Sequence, residues 1–325
     1  MRFRPMLILL LAIATLSGVA ATVPPQGNAY EEVKDWPKLP AGVELGEVSG
    51  VAIDNNGHVF VFHRPGRGFE PQATEVLKDA AVLEVDADSG KLLNSWGRNI
   101  FLVPHGITVD SANNVWVNDV GLQQVMKFSH DGKPLLTLGE ARVGGWDAGH
   151  FNQPTDIAIR DDGSFYVSDG YVNSRVALFD RTGRFQFEWG KKGDGESQFS
   201  NPHGLAFAPN GDVLVADRQN SRIQVFDRMG KFKSQWLGAK PKGRVFGVAV
   251  DGAGAMYVGV RQTDYDPPSN GILKLDRDWR IVASIGFGEA GQPVFNAVHD
   301  IAVAKDGTIY VAETRTKRVR KLRPR

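Results

Sequence analysis

Seven histidines and no cysteine limit the chemistry open to this 325-residue chain. Without thiols there can be no disulfide, thiolate zinc site, iron–sulfur cluster or cysteine nucleophile, so any metal must be held by imidazole and oxygen ligands. Three of the histidines sit in matching contexts: His105 in PHGI (104–107), His203 in PHGLA (202–206) and His299 in VHDIAV (298–303). Each opens a run of alternating apolar residues, the pattern of a half-buried strand. The same register puts Ser49, Thr155 and Phe246 at the equivalent position of three further runs, so histidine fills every second place of six. A lone histidine at a strand start is by default a hydrogen-bonded core residue. Three at alternate equivalent places read instead as three of the four ligands of a tetrahedral zinc, the last position being open to water or substrate.

The elements that must position these residues are repeats. QPTDIAIRDDGSFYVSDGYVNSRVALFDRTGRFQFEWG (153–190) is echoed by NPHGLAFAPNGDVLVADRQNSRIQVFDRMGKFKSQW (201–236), and more weakly by segments starting at Val103 and Ala297. Two further copies open with VSGVAID (48–54) and VFGVAVD (245–251). Each unit alternates with period two and carries a turn such as Asp162-Gly163 or Asn210-Gly211, an all-β signature. Six units of about 45 residues with four strands each predict an all-β, six-bladed β-propeller with four-stranded blades. Alternate blades of such a ring are related by roughly 120°, so the three histidines converge on its axis. The last unit runs out of chain after its third strand, Val319–Leu322, and Val43–Gly46 is the expected source of the missing outer strand.

With 42% hydrophobic and 10% aromatic residues the chain can build a core, which excludes disorder as its main state. The balance of 38 Lys+Arg against 37 Asp+Glu excludes a strongly basic nucleic-acid binder. Arg2 and Arg4, the apolar run Met6–Leu16 and the small residues Ser17, Gly18, Ala20 and Ala21 describe a cleavable secretory signal over residues 1–21. The run is short for a membrane span, with an uncleaved anchor as the alternative. Removing it takes 38 basic residues to 36 against 37 acidic ones, a net charge of −1. The expected organisation is therefore a signal (1–21), an N-terminal linker (22–41) and a propeller (42–325). The product would be a secreted or periplasmic monomer, without stable membrane insertion, that depends on its core and any bound metal for stability.

A second set of equivalent positions follows the second strand of each unit and holds Arg64, Val120, Gly170, Arg218, Arg261 and Thr314. The acids just before some of them, Asp169, Asp217 and Glu313, are followed five or six residues later by Arg175, Arg222 and Arg318. That recurrent spacing reads as bracing between strands rather than chemistry. Arg64, Arg218 and Tyr171 do not recur in this way, which makes them candidates for function. The loop Pro65–Ala80 lies near the predicted mouth, where it would shape access.

Taken together, these residues resemble the peptidylglycine α-amidating lyase (peptidylamidoglycolate lyase) family over nearly all of 42–322. The resemblance rests on VSGVAID (48–54), Phe62–Arg64, PHGI, QPTD (153–156), SDGYVNSR (168–175), PHGLA, ADRQNSRIQ (216–224) and His299-Asp300. It implies a catalytic zinc on His105, His203 and His299, near Tyr171, Arg64 and Arg218. It also implies a structural calcium held by the Asp300 carboxylate and the backbone carbonyls of Val51 and Ile107, oxygen ligands that suit a hard cation. The implied reaction cleaves a peptidyl-α-hydroxyglycine into a C-terminal peptide amide and glyoxylate. In that chemistry zinc is the Lewis acid and Tyr171 the base, helped by a guanidinium that favours its phenolate form. Arg64 is the first choice for that guanidinium and Arg218 for gripping the substrate carboxylate, although the two roles are exchangeable. Ala297-Val298 replaces the family's Met-Pro, and Val172, Leu214 and Val225 stand where the family has half-cystines.

Two other readings compete. A lactonase-type hydrolase would use a central calcium with acidic and Asn ligands, whereas these alternate positions carry His. A non-enzymatic binding propeller would have no use for a convergent His–Tyr–Arg set. The basic run Thr316–Arg325 is either a solvated last strand or a contact for membranes or polyanions.

Overall fold

The computed structural model describes residues 29–238, 243–262, 270–287 and 294–325. Its described residues form six four-stranded antiparallel sheets and no helix, the six-bladed propeller expected from the repeats. The first blade comprises Glu47–Ile53, His58–Arg64, Val82–Asp86 and Leu92–Trp96. The innermost strands of the other five are Pro104–Val109, Pro154–Ile159, Pro202–Phe207, Arg244–Val250 and Val298–Val303. The second strand of each blade is buried on both faces, as in FYVSD (165–169) and VLVAD (213–217), because blades stack against it from either side. The outermost strands are partly exposed, as in FQFEW (185–189) and FKSQW (232–236), because solvent covers their outer side. Apolar clusters fill the spaces between blades, so the core is distributed around the ring.

Ring closure differs from the expectation. The outer strand of the sixth blade is Tyr30–Glu32, paired antiparallel with Arg318–Pro324, while Val43–Gly46 is irregular. The propeller therefore begins within the segment read as linker 22–41. Complementarity explains the choice. Tyr30 buries its ring among Tyr257, Ile285 and Leu322, while Glu32 meets Arg320 at 2.9 Å and Glu31 pairs with Arg323. Val43 and Leu45 pack instead on the cluster between the first and sixth blades. The basic C-terminal run is thus a last strand whose charge is partly met by these glutamates. The signal expected at residues 1–21 lies outside the described residues.

The acid–arginine spacing is bracing, as read from the sequence. Asp169 Oδ2 lies 3.0 Å from Arg175 Nε, Asp217 Oδ2 lies 2.8 Å from Arg222 Nε, and Glu313 Oε2 lies 2.5 Å from Arg318 Nε. Asp169 also accepts from the Asn152 amide and from Asn173 Nδ2, which ties the loop that precedes Tyr171.

Candidate active site

His105, His203 and His299 meet on the channel axis with ring centroids 4.9, 4.7 and 5.0 Å apart, a nearly equilateral triangle. The alternation that puts histidine in every second blade also orients each ring. Nδ1 of His105 donates to the Thr155 carbonyl (2.7 Å), that of His203 to Phe246 (2.9 Å) and that of His299 to Ser49 (2.6 Å). These acceptors occupy the equivalent, non-histidine position of the next blade. Donation from Nδ1 fixes the tautomer and leaves the three Nε2 lone pairs facing one another. One nitrogen from each ring can be chosen so that all lie within 4.8 Å of one another. Burial is the main force holding all three neutral, taking His299 down to about 3 and the other two well below the ordinary value. Arg64, Arg218 and the neighbouring rings add to the effect. Buried neutral imidazoles with convergent lone pairs are the donor set zinc takes, so the residues fit that metal.

Glycine makes the close approach possible. A Cβ on Gly106 would stand 2.8 Å from the Thr155 carbonyl oxygen, so the small residue after His105 lets the ring reach the next blade. A Cβ on Gly170 would lie 1.9 Å from the Pro202 carbonyl oxygen. Only glycine lets that loop cross the fourth blade and deliver Tyr171 over the axis.

Tyr171 Oη lies 3.0 Å from His105 Nε2, 3.5 Å from His203 Nε2 and 3.3 Å from Arg218 Nη1. Arg218 also stacks over the rings of Tyr171 (5.1 Å) and Phe246 (5.0 Å). The guanidinium at the tyrosine hydroxyl is thus Arg218. Arg64 is fully buried, donating from Nε to the Pro104 carbonyl (2.8 Å) and from Nη1 to Glu47 (2.8 Å), while its Nη2 has no partner. Phe69 was not singled out from the sequence, and Arg261, though at the same equivalent position as Arg64 and Arg218, was not chosen as a candidate. Phe69, from the loop flagged as shaping access, stacks on Tyr171 at 4.9 Å and beneath the Arg64 guanidinium at 5.1 Å. Arg261 lies over Phe246 at 5.3 Å; burial and the nearby Arg315 and Arg218 bring it down to about 10. Three guanidiniums around neutral imidazoles make an electropositive site suited to an anionic substrate.

Deeper in the channel, Val51, Ile107 and Asp300, the residues expected at calcium, line one cavity with Asp156. Asp300 Oδ2 accepts from the Val51 amide (3.0 Å) and Asp156 Oδ2 from the Leu205 amide (2.7 Å). Desolvation raises both carboxyls, and their mutual repulsion raises Asp156 further. Among the described residues these two carboxyls meet backbone amides and no basic side chain, an arrangement that suits a divalent cation. Asp156 was not singled out from the sequence, although a signal exists: it follows Thr155 as Asp300 follows His299, in the blade opposite. Between the histidines and these aspartates lies a small void of about 10 Å³, the space of one water or ion.

The NHL repeat model matches residues 199–226. Among solved structures, a streptogramin B lyase superposes with a TM-score of 0.60 at 13% identity, covering 91% of this chain and 97% of that one. A gluconolactonase from Xanthomonas campestris gives 0.61 at 15% identity, with 87% of each chain covered. At such identities these neighbours show the fold alone. Fold and site together define a six-bladed NHL propeller with a three-histidine centre. Peptidyl-glycine alpha-amidating monooxygenase A of Xenopus laevis is 36% identical over 315 residues, 90% of this chain but only 33% of that relative. This chain therefore spans about a third of that relative's length. Peptidyl-alpha-hydroxyglycine alpha-amidating lyase 2 of Drosophila melanogaster is 31% identical over 312 residues, 87% of this chain and 72% of the fly protein. The chain belongs to the peptidyl-α-hydroxyglycine α-amidating lyase family.

Proposed function

We propose that this protein is a metal-dependent lyase that cleaves the C–N bond of a peptidyl-α-hydroxyglycine, or a related carbinolamide, to an amide and glyoxylate. The observation that carries this reading is the Tyr171 hydroxyl held among His105 Nε2, His203 Nε2 and Arg218 Nη1. In this reaction the carbinol O–H gives up its proton, its oxygen becomes the glyoxylate carbonyl, the C–N bond breaks and the nitrogen gains a proton. His105, His203 and His299 would hold zinc, which when bound supplies Lewis-acid stabilisation of charge on the carbinol oxygen. Tyr171 takes the hydroxyl proton and returns one to the departing nitrogen, with Arg218 stabilising negative charge on its oxygen. Arg64, with Nη2 unpartnered beside the centre, offers a donor to the substrate carboxylate, and Phe69 covers the reacting group from the solvent side.

The second part of this reading is a structural calcium between Asp156 and Asp300, and export directed by residues 1–21. Purified protein should release glyoxylate from α-hydroxyhippurate, lose that activity on chelation and recover it with zinc. Activity undiminished by chelation would sink the zinc reading. In the same samples calcium should restore thermal stability to wild type but not to Asp300→Asn; an equal response in both would remove the calcium.

A further inference from the structure

Four of the seven histidines lie outside the catalytic centre, and two of them meet two carboxylates on the far face of the ring. Asp54 and His58 flank the turn that joins the first two strands of blade one, at the end opposite the catalytic histidines. Glu84 comes from the third strand of that blade, and His130 from the turn joining the outer strands of blade two. Asp54 Oδ1 is occupied by the amides of Asn56 (2.8 Å) and His58 (2.7 Å), which leaves Oδ2 pointing at the imidazoles.

Oδ2 of Asp54 lies 2.9 Å from His130 Nε2 and 3.3 Å from His58 Nδ1. Oε1 of Glu84 lies 2.8 Å from His58 Nδ1 and 3.6 Å from His130 Nε2. These separations bracket the edge of about 3.3 Å expected for a tetrahedron with bonds of about 2.0 Å. His58 Nδ1 is buried and, despite its close oxygens, makes no well-formed hydrogen bond. His130 Nε2 is hydrogen-bonded to Asp54 Oδ2, whereas His58 Nδ1 is aligned with neither carboxylate oxygen and faces the space between them. Both carboxylate side chains are essentially buried (0% and 6% exposed), whereas His58 and His130 are 25% and 32% exposed, which provides an entry path. Phe60 meets the His130 ring edge-on at 5.1 Å and fixes its orientation.

We propose that Asp54, His58 and His130, whose ligand atoms lie within 4.8 Å of one another, bind a second transition-metal ion of the zinc class that ties blade one to blade two, with the Glu84 carboxylate beside them. Imidazole and carboxylate ligands in this number suit zinc, with copper and nickel as competitors for the same donors. In a chain without disulfides such an ion would cross-link adjacent blades through residues 76 positions apart in sequence. The site is independent of the lyase reading, because it shares no residue with the catalytic centre.

The test is to strip the full chain of metal, dialyse it against zinc and count zinc per folded chain. His130→Gln should hold one zinc fewer than wild type while keeping its circular dichroism spectrum and its turnover. His203→Ala should keep one zinc, and His203→Ala with His130→Gln should keep none. If His130→Gln is unstable, His58→Gln takes its place. Cobalt(II) added to His203→Ala should produce visible d–d bands that disappear when His130→Gln is added. Equal zinc in wild type and His130→Gln, or no bands, would mean a histidine–carboxylate ion-pair cluster only and overturn the proposal.

Discussion

Replacing Tyr171 with phenylalanine removes one oxygen atom and little else. The ring keeps its stack on Phe69 at 4.9 Å and its place under the Arg218 guanidinium at 5.1 Å. The hydroxyl's three neighbours, at 3.0, 3.3 and 3.5 Å, are two imidazoles held in place by backbone carbonyls and an arginine stacked on Phe246. The imidazoles keep their backbone anchors without the hydroxyl, and Arg218 loses one hydrogen bond but keeps its stacking on both rings. The structural cost should therefore stay near that of one partly solvated hydrogen bond, about 1 kcal/mol. The catalytic cost is much larger if this hydroxyl moves the proton. Loss of a positioned acid–base group lowers rates by about 10²–10⁴-fold, equivalent to about 3–5 kcal/mol of barrier. Glyoxylate release under saturating α-hydroxyhippurate should show that drop in kcat, with KM nearly unchanged and zinc content intact. The two magnitudes are far enough apart to separate a chemical role from a packing role. A variant retaining more than a tenth of wild-type kcat would refute Tyr171 as the proton-transfer group. A fall in zinc content matching the fall in rate would instead make it a support for the histidines.

Two further perturbations probe the frame that holds the site. Asp169→Ala takes the carboxylate from Arg175 Nε and the Asn152 amide, while Glu188 still pairs with the Arg175 guanidinium, so urea unfolding should show a loss of about 1–3 kcal/mol; no measurable loss would contradict the bracing role. His63 is buried and neutral, its Nδ1 accepting from the Gly46 amide at 3.0 Å, and desolvation takes it down to about 4. In the unfolded chain His63 gains a proton below 6.5, whereas the folded protein refuses it until about 4. The stability this represents is whole above pH 6.5 and is lost as pH falls to about 4. It amounts to about 3 kcal/mol that should vanish from the pH profile of His63→Asn; identical profiles for the two proteins would disprove it.

Much of the fold was legible because a propeller writes its periodicity into the chain. Strand alternation, the turn at Asp162-Gly163 and its counterparts, and the equivalence of His105, His203 and His299 are local patterns repeated at one spacing. Symmetry then does the rest: residues equivalent in sequence and alternate in the ring must meet on the axis. The pairing of Asp169 with Arg175 was readable for the same reason, since both belong to one hairpin. Ring closure was not, because the choice between Tyr30–Glu32 and Val43–Gly46 turned on cross-strand charge and on a pocket formed by Tyr257, Ile285 and Leu322.

The sequence by itself determined the strand repeat, the three histidines as candidate ligands and the arginine and tyrosine candidates beside them. Only the tertiary structure decided which arginine meets the tyrosine, that Phe69 covers it, that Asp156 faces the channel with Asp300, and that His130 joins Asp54. The physical reason is distance along the chain. His105 and Tyr171 are 66 residues apart, and His130 and Asp54 are 76 apart. Repeat spacing states which blade a residue belongs to and how high it sits, whereas contacts between blades depend on how loops and side chains turn once the ring has closed.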